Sequence, residues 1–377
     1  MKTGRIPQRG YTLVELLVAM SIGIILVGAV IVAYVTQTQT YNTTTSQAGT
    51  QNAENAIAAI VTPIIRATGF VGCLTNSQPI PNINAGGPPP LLTLGTAPTL
   101  VYGYDANGTA GTGTLTLTQN AANDTTSTDW TSFGGASGLD ASLSGQVEGG
   151  SDVLIALGAA PGSQPAALSA QAVTGATTLT VLQNAASPVP LAAGQLVALS
   201  DCSKTNAFQI STVATAGAVT TVNLPAASTN PLASPVAGLN NAFPANSQLI
   251  PLQQTALFVA QGAGGQSVLT LATYTYTGGT WGWQYSPLVP GVDTMQVLYG
   301  IGTPGTGVPS EYVPASAVTP ANSIYSIRLA FLLEGQPGSG STPNATSFTV
   351  LGTTVNVPTD TRLRRVYDMT INLRNAS

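Results

Sequence analysis

The chain has 377 residues, of which ten are basic and fourteen acidic, giving a formal net charge of −4. Charged residues make up 6% of it, against about 25% in ordinary soluble domains. So few basic residues exclude a nucleic-acid footprint, and the absence of histidine removes the commonest general base, the commonest metal ligand and every Ser-His or Cys-His pairing.

Lys2, Arg5 and Arg9 open the chain and Gly10 follows them. From Tyr11 to Ala33 the text is apolar for 23 residues, with Glu15 as its only carboxylate. As a helix that run is roughly 34 Å long, enough to cross a hydrocarbon core of about 30 Å. No basic residue follows until Arg66, so the positive-inside rule leaves residues 1–10 in the cytoplasm and sends the remainder outward. A secretory signal is cut after its apolar core. Here the small residue, Gly10, precedes it, and a cut there removes the basic leader but keeps the helix. Glu15 is then a functional-site candidate, because a carboxylate inside a membrane segment is costly. It lies four residues from the amine that such a cut would create; the alternative is that it only reaches up to the lipid headgroups.

No proline interrupts residues 11–62. The Thr-rich stretch at 36–46 has weak helix propensity and is expected to fray or bend. Ala53, Ala56, Ile57, Ile60, Val61, Ile64 and Ile65 then recur at helical spacing, forming one apolar face. The spacing predicts one long helix from Tyr11 to about Ala67, membrane-spanning over about 11–33 and amphipathic in its second half. Pro63 is expected to kink the last turns and Gly69 to fall in the C-terminal cap region.

The two cysteines, Cys73 and Cys202, both lie on the exported side. An even pair in an oxidising compartment points to a disulfide. Closing a loop of 129 positions is worth roughly 4–5 kcal/mol in the chain-entropy account. Two buried free thiols are the alternative.

Residues 76–150, with Pro79, Pro81, Pro88, Pro89 and Pro90 among Gly and Asn, read as loops and short hairpins. From Ser151 the text is β-like: short Val-, Leu-, Ile-, Thr- and Tyr-rich runs punctuated by Gly, Pro and Asn. TYTYTGGTWGWQY reads as a hairpin about Gly278-Gly279. Trp281, Trp283 and Tyr285 share a face of it; cross-strand packing explains them most simply, and a sugar platform is the alternative. Arg362 and Arg364 fall on one face of a later strand with Arg365 opposite, solvated or paired with Asp360 or Asp368. The head, residues 68–377, is thus an antiparallel β-rich domain packed on a helix, an α+β fold. No acid, base and nucleophile converge in the text, so no enzyme, cofactor or metal is expected. Few carboxylates also imply little pH-linked loss of stability, which suits an acidic outside medium.

Gly10, Tyr11, Thr12, Leu13, Val14, Glu15 and Leu16, behind a short basic leader, resemble the class III signal of type IV prepilins. Phe is usual where this chain has Tyr11. The resemblance implies a prepilin peptidase that cuts between Gly10 and Tyr11 and methylates the new amine. IIRATGFVGC, GQLVALSDCSKTNAFQIS, PLVPGVDTMQVLYG, SIRLAFLLE and RLRRVYDMTINLRN follow in the block order of the PilW family of minor pilins. That resemblance implies a minor pilin that primes or caps the pilus fibre. Its partners would be the major pilin, other minor pilins and a PilY-type tip adhesin. It would sit in inner-membrane lipid with its head in the periplasm before reaching the cell surface. A pseudopilin at the tip of a type II secretion system is the runner-up, and a membrane-anchored exported binding module the third reading. Relatives carry an Asp/Gly-rich loop after Tyr-Gly that suits calcium. Here the loop is GIGTPGTGVPSEYV with Glu311 its only carboxylate, so no metal is carried over.

Overall fold

The computed structural model describes residues 11–70, 72, 83–84, 93–94, 97–98, 100–107, 111–118, 121–183, 189–224, 238–239, 241–277, 280–319, 321–340 and 346–373. One helix, α1 (Leu13–Ala67), is 55 residues long. Its Thr-rich middle does not fray. Thr36, Thr38 and Thr40 donate their hydroxyls to the carbonyls of Val32, Tyr34 and Thr36 at 2.9 Å. This back-bonding gives each hydroxyl a partner while the helix runs on. It also runs through Pro63 and ends four residues later, so the last turn survives the missing donor. Gly69 follows with φ 76°, and its N–H donates to Leu157 O at 2.9 Å, passing the chain directly from helix to sheet.

The strands longer than two residues are β1 (Val101–Ala106), β2 (Thr114–Thr116), β3 (Trp130–Ser132), β4 (Val153–Ala159), β5 (Thr178–Leu182) and β6 (Leu196–Ser200). They continue with β7 (Thr205–Gln209), β8 (Thr212–Ala216), β9 (Val219–Asn223), β10 (Gln248–Gln261), β11 (Ser267–Thr277) and β12 (Thr280–Pro290). The last are β13 (Val292–Gly302), β14 (Glu311–Val313), β15 (Ser323–Glu334), β16 (Ser347–Val350), β17 (Thr353–Asn356) and β18 (Arg364–Asn372). The largest sheet runs β7-β6-β10-β4-β1-β3, with β11 and β12 continuing from β10. A second sheet runs β14-β13-β15-β18; β8-β9-β5 and β16-β17-β2 form two smaller ones. Pairing is antiparallel, as expected, except for β17 with β2 and the short Ile83–Asn84 strand with β7. The aromatic hairpin forms with Tyr274 opposite Trp283, Tyr276 opposite Trp281 and Thr277 opposite Thr280; Gly278-Gly279 lie outside the described residues.

β10 divides the head. Its first residues, Gln248–Pro251, pair with β6, and residues 254–261 pair with β11. Around the second half lies the main core, where Ile57, Val61 and Ile65 of α1 join Trp130, Phe133, Val153, Tyr299 and Phe331. Around the first half lies a separate core of Leu168, Val181, Phe208, Phe243 and Leu249. Two buried aspartates tie the largest sheet to the second sheet and to the turn between β14 and β15. Asp152 accepts from the N–H groups of Ala106 (2.9 Å) and Val297 (2.8 Å), and Asp105 from those of Ala315 (2.8 Å) and Ser316 (2.7 Å). Part of the expected loop region proves structural, because Trp130 at the start of the short β3, with Phe133, Leu139, Leu143 and Val147 after it, plugs the main core. The prolines at 79–90 lie outside the described residues.

The helix stripe rests on β4, β12, β15 and β18. Ala53 and Ala56 allow close approach, and Ile57, Val61 and Ile65 are fully buried. At the helix end Gly158 faces the backbone of Ala67 so closely that a Cβ would collide with the Ala67 carbonyl. Ile57→Ala should therefore lower the stability of the docked head by about 2–5 kcal/mol, the cost of a buried cavity. Gly158→Ala should dislodge the helix end while leaving the second core intact. Denaturant titration of the detergent-solubilised chain checks the first, and hydrogen exchange at residues 61–70 against 196–209 checks the second.

Candidate functional site

The helix start is built by Thr12. It takes extended backbone (φ −79°, ψ 151°), and its Oγ1 accepts from the N–H of Glu15 at 3.2 Å. Thr12 is thus the N-cap and Glu15 the third helical residue, the Thr-x-x-Glu spacing of a capping box. The sequence reading did not use that spacing, although it is legible in the text. A carboxylate in the first turn also faces the positive end of the helix dipole, which stabilises it locally. Tyr11 is 86% exposed, and from Tyr11 to Val35 only Gly23 is even partly covered. Among the described residues, the apolar half of α1 therefore meets almost nothing of its own chain. Gly10 lies outside the described residues.

Cys202 is disulfide-bonded and has a φ of 69°. Its expected partner, Cys73, lies outside the described residues. Gly72 is described, and it packs against the side chain of Ser200, two residues before Cys202. Beside the bridge, Asp201 accepts from Ser203 and Lys204 and forms an ion pair with Lys204 Nζ at 2.7 Å. Burial alone would raise its carboxyl, but these hydrogen bonds pull it down to about 2.

The sequence reading missed the main concentration of charge. Glu148, Asp293, Glu334, Arg362 and Arg364 line one enclosed space, and Asp360 joins them. Arg364 Nε donates to Asp293 at 2.7 Å, and its two terminal nitrogens hold both oxygens of Asp360 at 2.8 Å. Arg362 Nη1 donates to Glu334 at 2.9 Å. Asp293 and Glu334 share the Arg364 guanidinium, and repulsion between their carboxyls favours a proton on Glu334. Glu148 accepts from Ser267 Oγ at 2.9 Å. Three carboxyls thus share two guanidinium groups, and Glu148 lines the same buried space, so full ionisation leaves an excess negative charge. Burial pushes Glu334 up to about 8, with repulsion from Asp293 adding to it. Burial likewise pushes Glu148 up to about 7.

These contacts correct the expected arginine pairing. Arg362 and Arg364 are neither solvated nor bound to Asp360 alone. Arg365 approaches Glu54 of α1 at 3.1 Å without hydrogen-bond alignment, and Asp368 pairs with Arg328 instead, at 3.0 Å. The cluster sits under the helix. Thr43 Oγ1 donates to Ser339 O at 2.8 Å, Ser46 Oγ accepts from Gln336 N at 3.2 Å, and Arg362 reaches Gly335 O. The aromatic triad divides. Trp283 Nε1 donates to Ser142 Oγ at 2.9 Å and Tyr285 donates to Ser142 O at 3.1 Å, so both serve packing, whereas Trp281 stacks on Tyr274.

Residues 256–375 match the family model of type IV pilus-assembly protein W, PilW. Residues 5–31 match the prokaryotic N-terminal methylation motif. No curated protein matches the chain. Among solved structures, a type IV-like pilin from Thermus thermophilus is similar at 17% identity over 48% of this chain and 84% of its own; with a TM-score of 0.24 it carries no argument. The two matches thus cover the N-terminus with the first part of α1, and the stretch from the second half of β10 through β18. The second core, built mostly from residues 166–249, lies before that match.

The cluster sets a pH dependence with a definite sign. Glu148 and Glu334 hold protons in the folded head up to about 7 and about 8, whereas an unfolded glutamate releases them near 4.3. Folding therefore binds protons in that window, and stability falls as pH rises from about 4.5 to about 8. Asp201 and Asp360 act oppositely: each is held below its ordinary value, and the stability they confer is lost as pH falls below about 4. The melting temperature should peak near pH 4–5. Glu334→Gln should flatten the decline between pH 5 and 8. A melting temperature that rises across that range would contradict the assignment.

Proposed function

We propose that the chain is a minor pilin: a prepilin cut between Gly10 and Tyr11, methylated on the new amine, held in the bacterial inner membrane, and assembled with other minor pilins to prime or cap a type IV pilus. The observation that carries this reading is the division of α1. Its first half is apolar and uncovered, and its second half is docked on a PilW-type sheet. An uncovered apolar half needs a dry environment, and lipid before assembly and neighbouring helices afterwards both supply one. The head, carried outward into the periplasm, supplies contacts to other minor pilins, the major pilin and a PilY-type tip adhesin. No catalytic step belongs to this role.

Glu15 has two tasks in this reading. Its position favours the helix start, and its charge meets the positive amine of Tyr11, in its own subunit or the next. A buried pair of this kind is costly when one partner is removed. The two tasks separate by mutation, because glutamine also completes a capping box.

Glu15→Ala and Glu15→Gln should both be processed and inserted normally, yet both should fall roughly tenfold or more in the sheared pilus fraction, as expected for loss of a charge-assisted contact worth about 1.5–3 kcal/mol. Normal recovery of Glu15→Gln would assign the residue to capping alone. Mass spectrometry of the mature protein should find N-methyl-Tyr11 as its first residue. Recovery only in a secretion-system fibre would place it instead among the pseudopilins.

A further inference from the structure

We propose that the cleft between the 190–196 loop and the β11–β12 hairpin binds a neutral sugar residue. The cleft measures about 260 Å³, and Tyr274, Tyr276, Trp281, Gln195, Gln253 and Thr275 are among its lining residues. No charged side chain lines it. An anionic or cationic ligand would lose its hydration there without gaining a counter-charge, so the occupant is neutral.

The aromatic wall is prearranged. Tyr274 and Trp281 stack with centroids 5.1 Å apart and planes 8° from parallel, and Tyr276 meets Trp281 edge-on at 5.5 Å. Tyr276 remains 38% exposed at the hairpin end. The opposite wall depends on Gly194, whose φ is +83° and whose missing Cβ would strike the Tyr276 ring. Its N–H is tied to Ile210 O at 2.7 Å, so the loop is held against the hairpin from behind. A pyranose ring offers an apolar C–H face for such rings and a rim of hydroxyls for amides and hydroxyl groups.

The polar atoms distinguish this cleft from simple hairpin packing. Farther along the same hairpin, Trp283 and Tyr285 find partners on Ser142. At the cleft, Trp281 Nε1 is buried with no protein partner among the described residues. Buried donors are seldom left unpaired in packing that has no other purpose. Sugar hydroxyls are both donors and acceptors and would satisfy the Trp281 donor after a small side-chain shift, with Gln195 of the facing loop also lining the cleft.

The proposal does not rest on the pilin reading, because α1 contributes no residue to the cleft. The test uses the detergent-solubilised full chain and saturation-transfer NMR. The probes are glucose, galactose, N-acetylglucosamine and their β1,4-linked disaccharides, with sialic acid as the charged control. At least one neutral probe should bind, and sialic acid should not. Tyr276→Ala and Trp281→Phe should each weaken binding by about tenfold, the loss of one ring contact or of the unpaired indole donor. Tyr285→Phe, outside the cleft, should leave it unchanged. If Tyr276→Ala fails to fold by circular dichroism, Trp281→Phe alone decides. The proposal is overturned if no neutral probe binds at 10 mM, if sialic acid binds as well as the neutral sugars, or if binding survives in the folded cleft variants.

Discussion

The docking of the second half of α1 is the constraint on which the head depends. Ile57, Val61 and Ile65 enter the main core as one stripe, and strands from both larger sheets close over them. The approach is tight enough that small residues are required on both sides: Ala53 and Ala56 on the helix, Gly158 on β4. Because α1 is continuous from Leu13 to Ala67, the same rigid element presents an uncovered apolar half to the surroundings and a covered half to the head. The hydrophobic effect therefore asks for two dry environments at once, and the chain supplies only the second.

Charge is scarce and is used where that docking is secured. Glu148, Asp293, Glu334, Asp360, Arg362 and Arg364 come from segments far apart in sequence and meet beneath the turn that bonds Thr43 and Ser46. A buried network of this kind specifies which segments meet more than it adds net stability. Its excess of carboxyls over guanidiniums means that protons are part of the folded structure. The low overall charge implied little response to acid. The cluster adds a response of the opposite sign, so that mild acid tightens the head. Both suit an acidic exterior.

The second core is a different kind of addition. β10 is long enough to serve both cores, pairing with β6 over its first residues and with β11 over its last. The lobe so attached lies before the PilW-type match and forms one wall of the aromatic cleft. The stretch matched by the PilW family model and the stretch before it thus face each other across the cleft at the β11–β12 hairpin.

Much of this was legible from local patterns. The apolar run, the 53–65 stripe, the aromatic hairpin and strands such as Ser323–Glu334 follow from periodicities of 3.6 and 2, which depend only on neighbours in the chain. Thr12-x-x-Glu15 was equally local and was simply overlooked beside the larger question of the carboxylate. Other features were not local. The fate of Arg362, Arg364 and Arg365 depends on Asp293, Glu334 and Glu54, up to about 300 residues away, and no spacing rule connects them. Nor does any local signal say that Trp130, Phe133 and Leu143 of the expected loop region fill the main core, or that Trp281 is left with an unpaired donor while Trp283 is not. The sequence by itself determined the helix, its two faces and the β character of the head, because those are written in the order of adjacent side chains. Only the tertiary structure decided where the charges meet and where a cleft opens, because burial and pairing are properties of residues brought together from distant parts of the chain.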